Sequence, residues 1–230
     1  MAGAKSTLLL IPTSGERSRL LNHLDFSGLA IRGWKCELCG FGLVAAAAAA
    51  AATTRAIRTH QPTRVILAGI AGGLSDAASV GSAHWFDEAI CDGIGVGEGD
   101  EFVSADTLGW KQWASGDDES QESIGDRIEL ARPGNATVKK TPKNTLVSVC
   151  AASSDDSMAS RRRNLAGETD RDAVIAEDME AFGVAMACQM TSTPCMVVRG
   201  ISNVAGDRDH SKWQIDSALR SVAERLMELN

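Results

Sequence analysis

The sequence predicts an α/β fold: a three-layer α/β/α domain, single over residues 1–230, around a mixed, largely parallel central sheet. Three observations predict it. Short apolar runs such as Thr7–Ile11, Val65–Ala68 and Cys195–Val198 alternate with longer helix-like segments, the pattern of buried strands joined by crossover helices. Glycine is plentiful, 22 residues, as many tight strand-to-helix turns require. The 230-residue chain is long enough for one closed core and shows no internal repeat and no linker.

The elements follow in order. Thr7–Ile11 predicts a strand, Arg17–Leu24 the start of a helix, and Trp34–Leu38 a weaker strand. Gly40-Phe41-Gly42 is a turn, followed by a helix over Leu43–Thr59 that ends before Pro62. Val65–Ala68 is a strand running into a glycine-rich loop, Gly69-Ile70-Ala71-Gly72-Gly73. Ala83–Ile90 predicts one strand and Leu146–Ala151 another, while the polar stretch between them, 91–144, predicts the least regular structure. Met179–Met190 predicts a helix, Cys195–Val198 a strand, and Ile215–Leu229 a closing amphipathic helix with Ile215, Leu219, Val222, Leu226 and Leu229 on one stripe. In such sheets ligands gather at the carboxyl ends of parallel strands, here after Ile11, Ala68, Val149 and Val198.

Composition narrows the function. Net charge is −7, and the one basic cluster, Arg161-Arg162-Arg163, reads as a solvated face, so no nucleic-acid partner is expected. Leu8-Leu9-Leu10-Ile11 is too short for a signal peptide, and the alanine run 45–52 is too short and weakly apolar to span a bilayer. A soluble, cytoplasmic protein without a membrane partner is expected. Cys36 and Cys39 form a CxxC pair with no second pair, so they read as ordinary cysteines, and Cys188 and Cys195 as core thiols. The four histidines show no metal spacing, so no catalytic metal is expected.

Several residues could carry chemistry. Glu16 is the only carboxylate in the loop after the first strand, where it can serve as a helix N-terminal acid or, partly desolvated, as a general base. Backbone N–H groups of Gly69, Ile70, Ala71 and Gly72 could cradle an anion or a water. Gly40-Phe41-Gly42-Leu43-Val44-Ala45 matches GxGxxA, but Arg and His stand where a dinucleotide site needs an acid about 20 residues on. Small residues that let a helix pack on the sheet are the structural reading of that turn. Glu180, at a helix start, can be a favourable partner of the helix dipole. Arg199 ends an apolar strand, where an internal ion pair is the usual arrangement.

Taken together, Gly40–Ala46, Pro62–Leu74, Val80-Gly81 with Asp87-Glu88, Met179-Glu180 and Val197–Asn203 resemble the nucleoside phosphorylase and nucleosidase superfamily, in order and spacing over nearly the whole chain. The resemblance implies cleavage of an N-glycosidic bond in a small nucleoside substrate, without a cofactor, by a homo-oligomer. It implies that Glu180 takes the ribose hydroxyls, that Met179 packs on the sugar, and that Glu16 activates water. Arg199 then serves either that water or an internal ion pair.

Position 203 bears on the base. Adenine-cleaving members of the superfamily place Asp there, whereas this chain has Asn203, an amide with an NH₂ donor and a carbonyl acceptor. It can donate to N7 or O6 of a 6-oxopurine but cannot deliver a proton, so hypoxanthine fits better than adenine as leaving base. Ile201-Ser202-Asn203 followed by Arg208-Asp209 and Trp213-Gln214-Ile215, and Pro12-Thr13 leading to Glu16, also set the chain apart from methylthioadenosine nucleosidases. Ile70, apolar where those enzymes often keep a hydroxyl, favours hydrolysis over phosphorolysis. Other purine nucleosidases, a phosphorylase, and a non-catalytic nucleotide-binding module are the competing readings. Arg208 and Trp213 are candidates for contact with the non-purine end.

Overall fold

A computed structural model describes residues 6–42, 54–114, 123–134, 142–167 and 170–229. The sheet is mixed and mostly parallel. Its main path runs β2 (Trp34–Leu38), β1 (Thr7–Ile11), β3 (Arg64–Gly73), β10 (Ile175–Asp178), β9 (Thr145–Val149), β5 (Glu88–Asp92) and β8 (Arg127–Glu129). Off this path, β11 (Cys195–Val204) pairs in parallel with β3 and antiparallel with β4 (Ala83–Phe86). A separate hairpin joins β6 (Gly95–Val96) to β7 (Val103–Ser104).

Helices cover both faces, which gives the three layers. On one face α1 (Ser14–Leu21), α2 (Phe26–Ile31) and α6 (Ile215–Met227) bury Leu20, Leu29, Leu219, Val222 and Leu226 against Leu9, Ile66 and Val198 of the sheet. On the other, α5 (Ala181–Met190) and a helical segment over 54–60, termed α3, bury Ala56, Ile57, Phe182, Val184 and Cys188 against Leu8, Leu67 and Val197. Helix α4 (Asp156–Leu165) lies beside β10. Each fully buried Leu or Val contributes about 1.5–3 kcal/mol relative to an exposed one, so the stripe predicted for α6 is enough to seat it.

The predicted strands over Thr7–Ile11 and Trp34–Leu38 coincide with β1 and β2. Four expectations need correction. The predicted strand Ala83–Ile90 is two strands: β4 pairs with β11 while β5 pairs with β9 and β8, so the chain changes neighbours at Asp87. Helix α1 starts at Ser14, ahead of the predicted Arg17, because Thr13 caps it: its hydroxyl accepts from the Glu16 N–H at 3.1 Å. The glycine-rich stretch after Ala68 is no loop, and β3 runs on through Gly73. Likewise β11 continues past Val198 to Val204, with a bulge between Ile201 and Asn203. Both extensions depend on small residues. A Cβ at Gly73 would lie 2.7 Å from the Ala78 carbonyl oxygen, and one at Gly200 would collide with the Ala218 backbone of α6. Most of the predicted helix Leu43–Thr59 lies outside the described residues; its last part is α3.

These long strands open the sheet where the site forms. Strand β3 pairs with β1 as far as Leu67 and with β10 from Gly72, leaving its backbone between them free of strand partners on that side.

Candidate active site

A cavity of about 510 Å³ sits at this opening. Four carboxylates line it, Glu16, Glu177, Asp178 and Glu180, together with Met179, Ile70, Ala71, Gly72 and Asn203.

Glu16 reaches the cavity from the first turn of α1. Its carboxylate accepts from the Thr13 hydroxyl at 2.7 Å and from the Ile70 N–H at 3.1 Å, the amide that β3 exposes between β1 and β10. The two contacts orient the carboxylate and link the first loop to the centre of the sheet.

Glu180 sits at the junction of β10 and α5 and is 4% exposed. Although it stands in the N-cap position of α5, its side chain does not cap the helix. Asp178 takes that role: it accepts from the Ala181 N–H at 2.9 Å and from the Ser148 hydroxyl at 2.6 Å, while Ser148 in turn accepts from the Phe182 N–H. Glu180 turns instead toward β11 and the Gly40–Gly42 turn. It accepts from Arg199 Nη2 at 2.9 Å and from the Gly42 N–H at 3.0 Å. Gly42 holds that N–H in place with φ of 87°, a conformation that favours glycine. Burial pushes the Glu180 carboxyl up to about 7; Arg199 opposes the rise and Asp178 adds to it.

Arg199 is fully buried and does not line the cavity; it lies behind the wall. Its guanidinium also holds Asp178, through Nε at 3.1 Å and through Nη2. Burial works against its charge, but Asp178 and Glu180 outweigh this and keep it protonated. Of the two readings left open by the sequence, the geometry shows the ion pair. Gly69 does not line the cavity either: a Cβ there would overlap the Arg199 guanidinium and lie 2.8 Å from Glu16 Oε1. Its part is to make room, not to donate from an anion cradle. The Ile70 N–H donates to Glu16 at 3.1 Å.

Asn203 lies at the β11 bulge, 8% exposed. Its Oδ1 accepts from the Ser202 hydroxyl at 2.8 Å, and its Nδ2 donates to the Val204 carbonyl at 2.9 Å. This amide orientation follows from the hydrogen-bond network and leaves the second N–H of Nδ2 as a donor.

Sequence reasoning missed a second buried network. Glu177 of β10 accepts from the Ser153 N–H at 2.8 Å, from the Ser153 hydroxyl at 2.6 Å and from Arg162 at 2.8 Å. Arg162 also reaches Asp92 at 3.1 Å and the Ala151 carbonyl at 2.7 Å. The cluster read as a solvated face thus contains a residue only 5% exposed, which ties the segment after β9 to the cavity wall. Nothing in a run of three arginines marks the one that turns inward. Asp178 was passed over for a similar reason, since its partners stand 21 and 30 residues away.

At the mouth, Trp213 stacks on His210 with ring centroids 4.4 Å apart, and the Arg208 guanidinium lies 5.4 Å from the centre of the Trp213 ring. The Gly40–Gly42 turn serves Glu180 and places Phe41 on the cavity, a use unlike the phosphate cradle of a dinucleotide site. Cys36 and Cys39 are free thiols, and burial pushes Cys39 up to about 12, which keeps it protonated.

The family model of the Phosphorylase superfamily matches residues 29–229, and the chain belongs to that superfamily. It is 30% identical over 199 residues to a futalosine hydrolase of Streptomyces coelicolor, covering 86% of this chain and 78% of that protein. Among solved structures, the 5'-methylthioadenosine/S-adenosylhomocysteine nucleosidase of Neisseria meningitidis in complex with methylthio-immucillin-A is similar, with a TM-score of 0.70 at 19% identity over 98% of each chain. The futalosine hydrolase of Helicobacter pylori matches with a TM-score of 0.70 at 16% identity, over 98% of this chain and 97% of that one. At these identities the two structures speak for the fold.

Proposed function

We propose that the protein hydrolyses the N-glycosidic bond of futalosine and releases hypoxanthine, a step in the futalosine route of menaquinone biosynthesis. Its class, a hydrolase of N-glycosyl compounds, follows from the superfamily and from the relatives named above. The finer assignment rests on Asn203. Its oxygen is engaged by Ser202, so the amide offers the cavity an N–H, a donor suited to N7 or O6 of a 6-oxopurine. The name of the Streptomyces coelicolor relative supports the same substrate.

In this reading Glu180 accepts the ribose hydroxyls and Met179 packs on the sugar. The bond from C1′ to the purine nitrogen breaks, its electrons pass to the base, and Asn203 stabilises the charge that develops there. The departing base takes its proton from solvent. Water attacks C1′ and gives its proton to Glu16, whose carboxylate is already oriented by Thr13 and Ile70. Arg199 acts through Glu180 and Asp178, not on water. Ile70, an apolar side chain on the cavity, supports hydrolysis over phosphorolysis. A cytoplasmic homo-oligomer working without a cofactor belongs to the same reading.

The test is incubation with futalosine, inosine and methylthioadenosine, each with and without phosphate, followed by identification of the base. Phosphate-independent release of hypoxanthine from futalosine, faster than release of base from the others, is expected. Phosphate-dependent release would make the protein a phosphorylase; preference for methylthioadenosine would remove the 6-oxopurine assignment.

A further inference from the structure

We propose that Glu177 reads the purine: its carboxylate accepts the N1–H of a 6-oxopurine, opposite the N–H that Asn203 offers, and so selects a 6-oxo over a 6-amino base. The inference rests on the nucleosidase reading and deepens it.

Four observations carry it. Glu177 lines the cavity but takes no part in holding the sugar or activating water. Three donors fix its carboxylate in one orientation. Oε2 accepts from the Ser153 hydroxyl at 2.6 Å and from Arg162 Nη1 at 2.8 Å, whereas among the described residues Oε1 accepts only from the Ser153 N–H, at 2.8 Å. A carboxylate oxygen has two lone pairs, so Oε1 keeps one acceptor position. Arg162, itself 5% exposed, supplies the counter-charge that a buried carboxylate needs. Finally, the register of the sheet sets Glu177 across from Asn203. Glu177 pairs with Gly72 from one side of β3, and Asn203 pairs with Gly72 from the other. Neighbouring strands lie about 4.7–4.9 Å apart, so the two backbones stand about 10 Å apart with a glycine between them. A Cβ on Gly72 would lie 3.4 Å from Glu177 Cγ, so the missing side chain clears the space in front of the carboxylate for a flat base.

The chemistry of the base follows. N1 carries a proton in hypoxanthine and a lone pair in adenine, while N7 is an acceptor in both. An N–H from Asn203 on N7 therefore separates the two bases little. An ionised acceptor at N1 suits the 6-oxopurine and repels the bare N1 of adenine. A site built to hydrogen-bond one base rejects the other more strongly than shape alone, because the wrong base leaves a buried polar group unpaired.

The experiment measures calorimetric binding of three bases to the full chain, alongside release of hypoxanthine from futalosine. The bases are hypoxanthine, adenine and 1-deazahypoxanthine, in which a C–H replaces N1–H at the same size. Wild type should bind hypoxanthine about 10- to 100-fold more tightly than the deaza base, as one charge-assisted hydrogen bond supplies. In Glu177→Gln, Arg162 and the Ser153 hydroxyl hold the amide oxygen, which places the NH₂ at the Oε1 position, donor against N1–H. Its hypoxanthine-to-deaza ratio should fall close to one and adenine should gain on hypoxanthine, while KM for futalosine rises more than kcat falls. The wild-type comparison needs no variant and decides by itself should Glu177→Gln not fold. Equal wild-type affinity for the two oxo bases, no binding of hypoxanthine at millimolar concentration, or a ratio unmoved in Glu177→Gln overturns the proposal. If futalosine is still cleaved in that case, the nucleosidase reading survives. Conversely, a dependence on N1–H that Glu177→Gln removes, with no nucleoside cleaved, upholds the base contact and removes the nucleosidase reading.

Discussion

Arg199 Nη2 donates to Glu180 Oε2 at 2.9 Å, and the same guanidinium holds Asp178, so a fully buried cation on β11 joins both sides of the β10–α5 junction. Asp178 caps α5 and Glu180 faces the cavity. One arginine therefore couples the start of a core helix to the candidate sugar site.

Removing this cation leaves two buried carboxylates without their partner. Arg199→Met is expected to cost about 3–5 kcal/mol, the usual penalty for breaking a buried pair by removing one member. Urea unfolding should show the loss directly. Arg199→Lys keeps the charge but not the fork, and should fall between the two.

Glu180 introduces a pH dependence. The carboxyl is pushed up to about 7 by burial, and the ribose hydroxyls need the ionised form as acceptor. Thus kcat/KM should fall about tenfold between about pH 8 and about pH 6, and Glu180→Gln should remove this limb along with most activity. Stability runs the other way. The native state holds a proton here that the unfolded chain, with an ordinary value of 4.5, gives up. This contribution is full below about 4.5 and is lost as pH rises through about 7, which the difference in thermal unfolding between wild type and Glu180→Gln across that range should show.

Glu16→Gln retains the shape of the side chain but not its basicity. Turnover should drop by about 10²-fold with KM changed little, the split expected of a general base. Equal loss in substrate affinity would make Glu16 a binding group instead.

Asn203→Asp replaces the amide donor with a carboxyl facing the Val204 carbonyl, the present acceptor of Nδ2 at 2.9 Å. Cleavage of 6-oxopurine nucleosides should fall by about 10²-fold while adenine nucleosides gain relative to them, a shift readable by chromatography of the released base. An unchanged preference would show that Asn203 does not read the purine.

Gly69→Ala tests the crowding beneath the site. The added Cβ would overlap Arg199 and lie 2.8 Å from Glu16 Oε1 and 3.1 Å from Pro12 Cδ. Overpacking of this kind costs about 1–3 kcal/mol. Activity should fall as well, since the displaced groups are the candidate base and the cation behind the sugar site.

The sequence by itself determined the fold class and part of the cavity lining. Continuous apolar runs marked most of the inner strands, though not the short β10, and Met179, Glu180 and Asn203 were legible as site candidates through the resemblance to the superfamily, as was Glu16, which is also the only carboxylate in its loop. What these residues do to one another was decided only in three dimensions. Arg199 could be a water contact or an ion-pair partner until β10 and β11, both flanking β3, placed Asp178 and Glu180 on its guanidinium. Gly69 and Gly72 suggested a loop until parallel pairing with β11 drew the backbone into the sheet. Arg162 looked solvated until α4 turned it toward Glu177 and Asp92. In each case the partner is remote along the chain or on another strand, and a buried charge takes its role from whichever group shares its low-dielectric surroundings.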